Sequence, residues 1–431
     1  MRLSVWISLS LSLALPGAAS AADPWVSVDF SRPQYVSNAM GFTHGGVLRL
    51  SPPLQQKFRA RASLLRPGIW RGVPQLWSLD PHTVRAARAQ PVIQLGDIWG
   101  LPGNWPPVWP YQNLISYSTW VTQRAKNIKA WFPTGTVWVD VWNEPDTPRF
   151  WPTAKDPNLT GYMHAFLTAE QALRRELGTR VRVIGPSTAS RASAWTGRLV
   201  SFCAAHGCRL DGIAWHVNGG GPTAMAGLGH AMGRIRRMVS TDPHWRHVVR
   251  TPTTFLVTEY LPAGKRHSPG AVMSYWAQME HGTSSRGALA VWTSGDARDG
   301  ILDSLLDDAG RPRSTWWASR FYAIGRTERV RSVSSNALSP GLATHRGSLG
   351  GWEVLLGSWG APGRWVELRL HRLPSRPLRL RIAVMREVRS PWKGSEKHPY
   401  WRDARPIRAV HWAAVRRVYV PAGSVVAVAI G

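Results

Sequence analysis

The sequence predicts an α/β chain, a (β/α)8 TIM barrel with an appended C-terminal β-sandwich domain, and three observations carry that expectation. Short β-rich apolar runs recur up to about residue 325, separated by stretches long enough for helices, which is the alternation of a parallel sheet. Two of those runs deliver a glutamate at their C-terminal tips, in Trp142-Asn143-Glu144-Pro145 and in Thr258-Glu259-Tyr260. Beyond residue 325 apolar and polar residues alternate between Gly/Pro turns with no helical stretch between them, the pattern of a β-sandwich.

The N-terminus reads as a secretory signal over residues 1–21. Arg2 is its positive end, Leu3 to Leu15 the apolar stretch, and Ala19-Ser20-Ala21 the cleavage site. That stretch falls short of the ~20 residues needed to span a bilayer, and nothing later approaches that length. The mature chain is expected outside the cytoplasm, secreted or periplasmic. An Ala-rich signal ahead of an Arg-rich body suggests a bacterial source.

Eight barrel strands are expected within residues 22–325. The first four are Met40–His44, Leu64–Trp70, Pro91–Gly96 and Val137–Asn143; the others are Val181–Gly185, Asp211–His216, Thr254–Glu259 and Ala288–Trp292. Strand two contains Pro67, which removes a ladder donor, and Gly68, which loosens the strand. Between strands four and five, Tyr162, Phe166, Ala169, Ala172 and Leu173 repeat at helical spacing. Thr160 is the expected N-cap of that helix and Gly178 its stop. Residues 326–431 form the sandwich, with strands at Trp352–Leu356, Trp365–Leu370, Leu378–Val384, Val415–Val420 and Ser424–Ile430. The early strand at residues 25–30 is expected to pair into it.

Cys203 and Cys208 are the only cysteines, and in an oxidising compartment a local disulfide is the simplest reading. Charge is strongly basic, with 53 Lys and Arg against 25 Asp and Glu, a net +28. Two readings of that excess stand: attraction to a polyanion such as an acidic polysaccharide, or a compositional bias of an Arg-rich source. No nucleic-acid-binding motif accompanies it, so nucleic acid is not an expected partner. The chain holds 25 tryptophans, several beside turn signals in the segment Trp99 to Pro110. Indole faces stack on the C–H faces of sugar rings, so a Trp-lined cleft suits a glycan.

Strands four and seven of an eight-stranded barrel face one another across its mouth. Carboxylates on their tips therefore approach ~5–5.5 Å, the separation used by a retaining glycosidase. Glu144 is read as general acid/base and Glu259 as nucleophile, with Asn143 placed to bond a sugar 2-hydroxyl. His216 is expected to hold Glu259 or a sugar hydroxyl, and Trp292 to floor the subsite of the cleaved sugar. Asp140, four residues before Glu144, is expected to point into the barrel toward a structural partner such as an arginine. Asp97, Trp99, Asp146 and Asp296 lie beside the site by strand count. No cluster has metal-ligand spacing and no Gly-rich loop follows a strand in nucleotide-binding form, so neither metal nor cofactor is expected.

Asp140-Val141-Trp142-Asn143-Glu144-Pro145-Asp146, followed by Phe150, resembles the acid/base strand of glycoside hydrolase family 39. Gly185-Pro186, Leu210 to His216 and Thr258-Glu259 agree with that family in order. The resemblance covers roughly residues 40–325. It implies a retaining (β/α)8 enzyme with an appended sandwich, in a family of β-xylosidases and α-L-iduronidases. Two departures touch the sugar site. The Arg-x-His element of these relatives near strand two is reduced to Arg66 or Arg71, with His44 in a related position, and strand six ends in Val217-Asn218-Gly219-Gly220. Mechanism thus carries over while sugar specificity does not.

The resulting expectation is an exported retaining glycoside hydrolase acting on a surface or secreted polysaccharide, with the basic charge favouring an acidic one. The alternative is a catalytically silent glycan-binding protein of polysaccharide assembly or export.

Overall fold

The computed structural model describes residues 23–431 apart from 37, 45–46, 48–49, 74–78, 97–105, 107, 190–191, 220, 262–264, 266, 282–284, 291–300, 303, 350, 375, 388–398 and 411. The signal segment read at residues 1–21 lies outside the described residues, as do Asp97, Trp99, Trp292 and Asp296. Strand β1 (Trp25–Pro33) opens the described chain. Eight parallel strands then close a barrel in chain order. They are β2 (Gly41–Thr43), β3 (Ile69–Gly72), β4 (Gln90–Gln94), β5 (Val137–Asp140), β6 (Val181–Thr188), β7 (Leu210–Val217), β8 (Val249–Tyr260) and β9 (Ser285–Leu289), with Phe42 opposite Leu289 completing the ring.

The crossovers run through α1 (Pro52–Leu65), α2 (Pro81–Ala86), α3 (Leu114–Trp131), α4 (Thr160–Leu177) and α5 (Ala192–His206). They continue through α6 (Gly221–Thr241), α7 (Pro243–Val248) and α8 (Pro269–His281), and α9 (Ser314–Gly325) follows the last strand. Several start signals are written in the sequence. Asp80 caps α2 by accepting from the amides of His82 and Thr83, Asn113 caps α3, and Asp242 with Pro243 begins α7. The expected N-cap of α4 differs: Thr160 is its first helical residue and makes no cap bond. Asp156 does the capping instead, its Oδ2 accepting from the Tyr162 amide and from the Trp151 indole. Gly178 ends the helix as expected, at φ +57.

Three strand boundaries move. Leu64 and Leu65 are the last residues of α1, Arg66 closes that helix at φ +45, and only after Pro67 and Gly68 does β3 begin. Pro67 ends a helix rather than interrupting a strand. Strand β5 stops at Asp140, short of Asn143, and β9 begins at Ser285, three residues before the segment expected at Ala288–Trp292, and includes its first two residues.

Inside the barrel, Ile69, Val92, Trp138, Ile184, Ala214, Leu256 and Ala288 form one apolar layer, each from a different strand. Trp138 reaches across to Gly212, where a Cβ would lie 3.0 Å from its ring, so the interior is a packed core and not a pore. Outside, the helices bury the opposite faces of the strands in the large cluster that includes Tyr162, Phe166, Ala169, Ala172 and Leu173.

The second sheet has nine strands, all from the C-terminal part except β1. They are β10 (Arg329–Ser334), β11 (Gly341–Thr344), β12 (Trp352–Gly357), β13 (Arg364–His371), β14 (Pro377–Met385), β15 (Arg402–Arg408), β16 (Ala413–Val420) and β17 (Val425–Ile430). The order β15-β14-β17-β12-β11-β10-β1-β13-β16 is antiparallel throughout, apart from β1 against β13. Its two ends fold over one core: Leu378 and Leu380 of β14 share a cluster with Val366, Leu368 and Leu370 of β13. The reverse side of this sheet packs on the barrel, where Leu342, Leu355, Val425 and Ala427 join the barrel's cluster. Arg329 donates to both oxygens of Glu280 at 3.2 and 3.3 Å in a fully buried pair that crosses this junction. Gly270 is required here, because a Cβ would lie 2.2 Å from the Ser358 carbonyl oxygen.

Cys203, in the last turn of α5, forms the expected disulfide with Cys208 just past the helix end. Among the described residues no helix is long and apolar enough to cross a membrane.

Candidate active site

Side chains alternate along a strand, so the residues two positions past the apolar layer point into the barrel one pleat nearer its C-terminal mouth. Those residues are Arg71 on β3, Gln94 on β4, Asp140 on β5, His216 on β7 and Thr258 on β8, and all are buried. A polar layer inside a barrel must satisfy its own charges. Arg71 does this with a fan of donors: Nε and Nη2 to Asp140 Oδ2 at 3.0 and 2.7 Å, Nη2 to Asn143 Oδ1 at 2.8 Å, and Nη1 to Glu259 Oε1 at 2.6 Å. Arg71 is the arginine expected opposite Asp140. Arg66, the other candidate, sits at the C-terminal end of α1.

Strict alternation would turn Glu259 outward, since Leu256 faces in. A register irregularity corrects this: Trp215 pairs with Val257, but His216 pairs with Glu259. The extra residue, Thr258, turns Glu259 back toward the axis, the re-aiming that bulges produce beside functional sites. Glu259 is then enclosed. Its Oε1 takes the Arg71 bond, its Oε2 accepts from Asn218 Nδ2 at 2.9 Å, and His216 Nδ1 lies 3.5 Å from Oε2. Burial alone would raise this carboxyl, but the charges of His216, Arg71 and His44 and the Asn218 bond outweigh it and hold it below the ordinary glutamate value.

Glu144 reaches the same space from the opposite side by a different route. Past the end of β5 it adopts φ +43, and its amide donates to the Ser187 carbonyl at 3.0 Å. A non-glycine residue in that region is held by its surroundings. The side chain is 14 % exposed against 4 % for Glu259, and its Oε1 lies 2.8 Å from His216 Nδ1. His216 was expected to hold Glu259 or a sugar hydroxyl; its ring lies near Glu259 but its shorter contact is to Glu144, so it sits between the two carboxylates. One oxygen of each glutamate and a nitrogen of His216 lie within 4.8 Å of one another.

Other expected residues sort by position. Asn143 is buried beside the pair, and Arg71 holds its Oδ1, which leaves Nδ2 as the outward donor. His44 follows β2 at φ +70, with its amide bonded to the Arg71 carbonyl. Its ring is buried and lowered to about 4 by that burial, with Glu259 opposing the shift and Arg71 adding to it. Asp146 has a backbone role, accepting the Ala189 amide at 2.8 Å. Trp109 is partly buried and packs on Trp142 and Trp151 beside the tip of β5. Gly96 lets that stack close, since a Cβ would lie 2.6 Å from Trp142. Asn218 was missed as a contact to the nucleophile candidate. Its signal was the unusual turn after strand six, where a polar side chain follows a buried His216.

Glu144, His216 and Glu259 are also a donor set that a small divalent cation would take. Arg71 already places a fixed positive charge 2.6 Å from Glu259, where it competes with any such ion.

The sequence matches no protein-family model and no curated protein. Solved structures do resemble the fold. N2152 from Neocallimastix frontalis is 17% identical with a TM-score of 0.74, over 95% of this chain and 99% of that one. The glycoside hydrolase family 39 enzyme from Xanthomonas axonopodis pv. citri is 14% identical with a TM-score of 0.65, over 95% and 97%. A monomeric β-xylosidase from Caulobacter crescentus CB15 is 13% identical with a TM-score of 0.64, over 94% and 99%. The chain therefore shares, along nearly its whole described length, the barrel-plus-sandwich fold of these enzymes.

Proposed function

We propose that this chain is an exported glycoside hydrolase that cleaves a surface or secreted polysaccharide by double displacement. The observation that carries the reading is the pair Glu144 and Glu259, on strand tips facing each other across the barrel mouth with carboxylate oxygens within 4.8 Å. That short separation suits a retaining mechanism, in which the second carboxylate itself attacks, rather than the wider spacing of an inverting one. Glu259, kept ionised by Arg71 and Asn218, attacks the anomeric carbon. Glu144 donates its proton to the departing glycosidic oxygen, and its less enclosed side chain supports that role. In the second step Glu144 takes a proton from water, whose oxygen displaces Glu259 and returns it as a carboxylate. Asn143 Nδ2 and His44 line the position of the bound sugar. The fold shared with glycoside hydrolases raises the weight of this reading, and the segment at residues 1–21 supports export.

The test is product stereochemistry. Purified protein is incubated with a panel of neutral and acidic polysaccharides, and the anomer released is followed by proton NMR before mutarotation. Retention is expected. Inversion would sink the nucleophile assignment, and saturable binding without any product would favour a silent glycan-binding protein.

A further inference from the structure

The basic charge is not spread evenly. At the N-terminal ends of β6, β7 and β8, on the barrel face remote from Glu144 and Glu259, a cleft of about 610 Å³ is lined by Arg174, Arg182, Arg209, Arg246 and Arg250. Its one lining carboxylate is Asp211, which is already engaged. Its Oδ2 accepts from Arg174 Nη2 at 3.0 Å and from the Val183 amide at 2.9 Å, and Arg250 lies 3.7 Å from Oδ1. Glu170, the other acid nearby, is paired with Arg174.

Arg182, Arg209 and Arg246 have no carboxylate within ion-pair distance among the described residues. Two of them are nevertheless fixed in place: Arg182 Nη1 donates to the Thr179 and Val181 carbonyls, and Arg246 Nε donates to the Ser240 carbonyl at 2.8 Å. Five guanidiniums brought from separate elements into one concavity repel one another and focus a positive potential there. His247 is the one ring among the described lining residues, with no Trp, Tyr or Phe beside it, so the cleft lacks the indole or phenol face on which a neutral sugar stacks. It is larger than a single inorganic anion needs and falls in the range of small-ligand sites.

We propose that this cleft is a second binding site, for an acidic oligosaccharide segment whose carboxylate or sulfate groups bond the arginine forks. The anion chemistry stands on the cleft itself; the oligosaccharide scaffold rests on the glycosidase reading. Such a site would tether a polyanionic glycan on the face opposite the catalytic mouth.

Titration calorimetry on the full chain with a uniform oligogalacturonate, a sulfated oligosaccharide and inorganic phosphate tests it. Arg209 and Arg250 are exposed, so the double variant Arg209→Ala/Arg250→Ala should fold normally. It is expected to lower affinity for the acidic oligosaccharides about tenfold or more while leaving hydrolysis of a small neutral glycoside unchanged. Arg246→Ala should act in the same direction. The control Arg331→Ala/Arg379→Ala removes two charges from the sandwich surface and should leave binding intact. Equal losses in both double variants would mean diffuse attraction and overturn the site, as would phosphate binding without oligosaccharide binding. A chain that binds but cleaves nothing overturns the glycosidase reading and leaves this one standing.

Discussion

The tips of β5 and β8 each carry a glutamate to the same cavity, yet they build opposite environments. On β8 the strand runs through its glutamate, a bulge turns the side chain inward, and Arg71 and Asn218 occupy one oxygen each. On β5 the strand stops four residues early, and Glu144 arrives in a left-handed conformation with His216, among the described residues, bonded at its carboxylate. The first arrangement fixes a negative charge; the second holds its carboxylate more loosely, as the proposed acid/base role requires. Identical side chains thus acquire different chemistry from what the flanking backbone lets them touch.

The largest expected effect comes from removing the fixed charge. Glu259→Ala should reduce turnover on the order of 10⁴-fold or more for every substrate, because in the proposed mechanism Glu259 is the group that forms the glycosyl intermediate. Glu144→Ala should instead discriminate. Glycosides with poor leaving groups are expected to lose roughly 10²–10⁴-fold, and activated aryl glycosides far less in the bond-breaking step. Comparing kcat/KM across a leaving-group series measures this; a flat series for the Glu144 variant would erase the distinction between the two tips.

A smaller change should sharpen the comparison without destroying it. Asn218→Ala removes a donor to the ionised form of Glu259, so that carboxyl should titrate at higher pH. The acid limb of the kcat/KM profile is expected to move upward. An unmoved limb with lower kcat would assign Asn218 to substrate contact alone.

How much of this was legible follows from the range of each cause. The eight barrel strands declare themselves as local apolar runs, and Asn143-Glu144-Pro145 marks a strand tip within four residues. The sandwich strands with clean alternation, such as Trp365 to Leu370, were equally readable. Strand β15 was not, because Arg402 to Arg408 contains four charged residues and Pro406; it lies at one edge of the sheet, where such a sequence is tolerated. Nor did period-two counting reveal the bulge at Thr258, since its cause is pairing with β7, some forty residues upstream. Arg71 has the same character: nothing local ties it to Asp140, Asn143 and Glu259.

His44 yields the smallest expected effect, one read through stability. Its folded-state value lies at about 4 against 6.5 for a free histidine, so the unfolded chain binds a proton more readily. The stability this contributes is complete above pH 6.5 and is lost as pH falls toward 4, up to about 3 kcal/mol by linkage. Glu259, lowered below 4.5, destabilises in the same direction but further into acid. His44→Asn keeps a residue that tolerates positive φ and removes the titration. Chemical denaturation at pH 7, 5.5 and 4.5 should therefore show a flatter decline for the variant. Parallel declines would mean that His44 takes up its proton in the folded state and adds charge beside Glu259. A flatter one means it stays neutral there, and Arg71 is then the permanent cation that keeps the β8 carboxylate ionised.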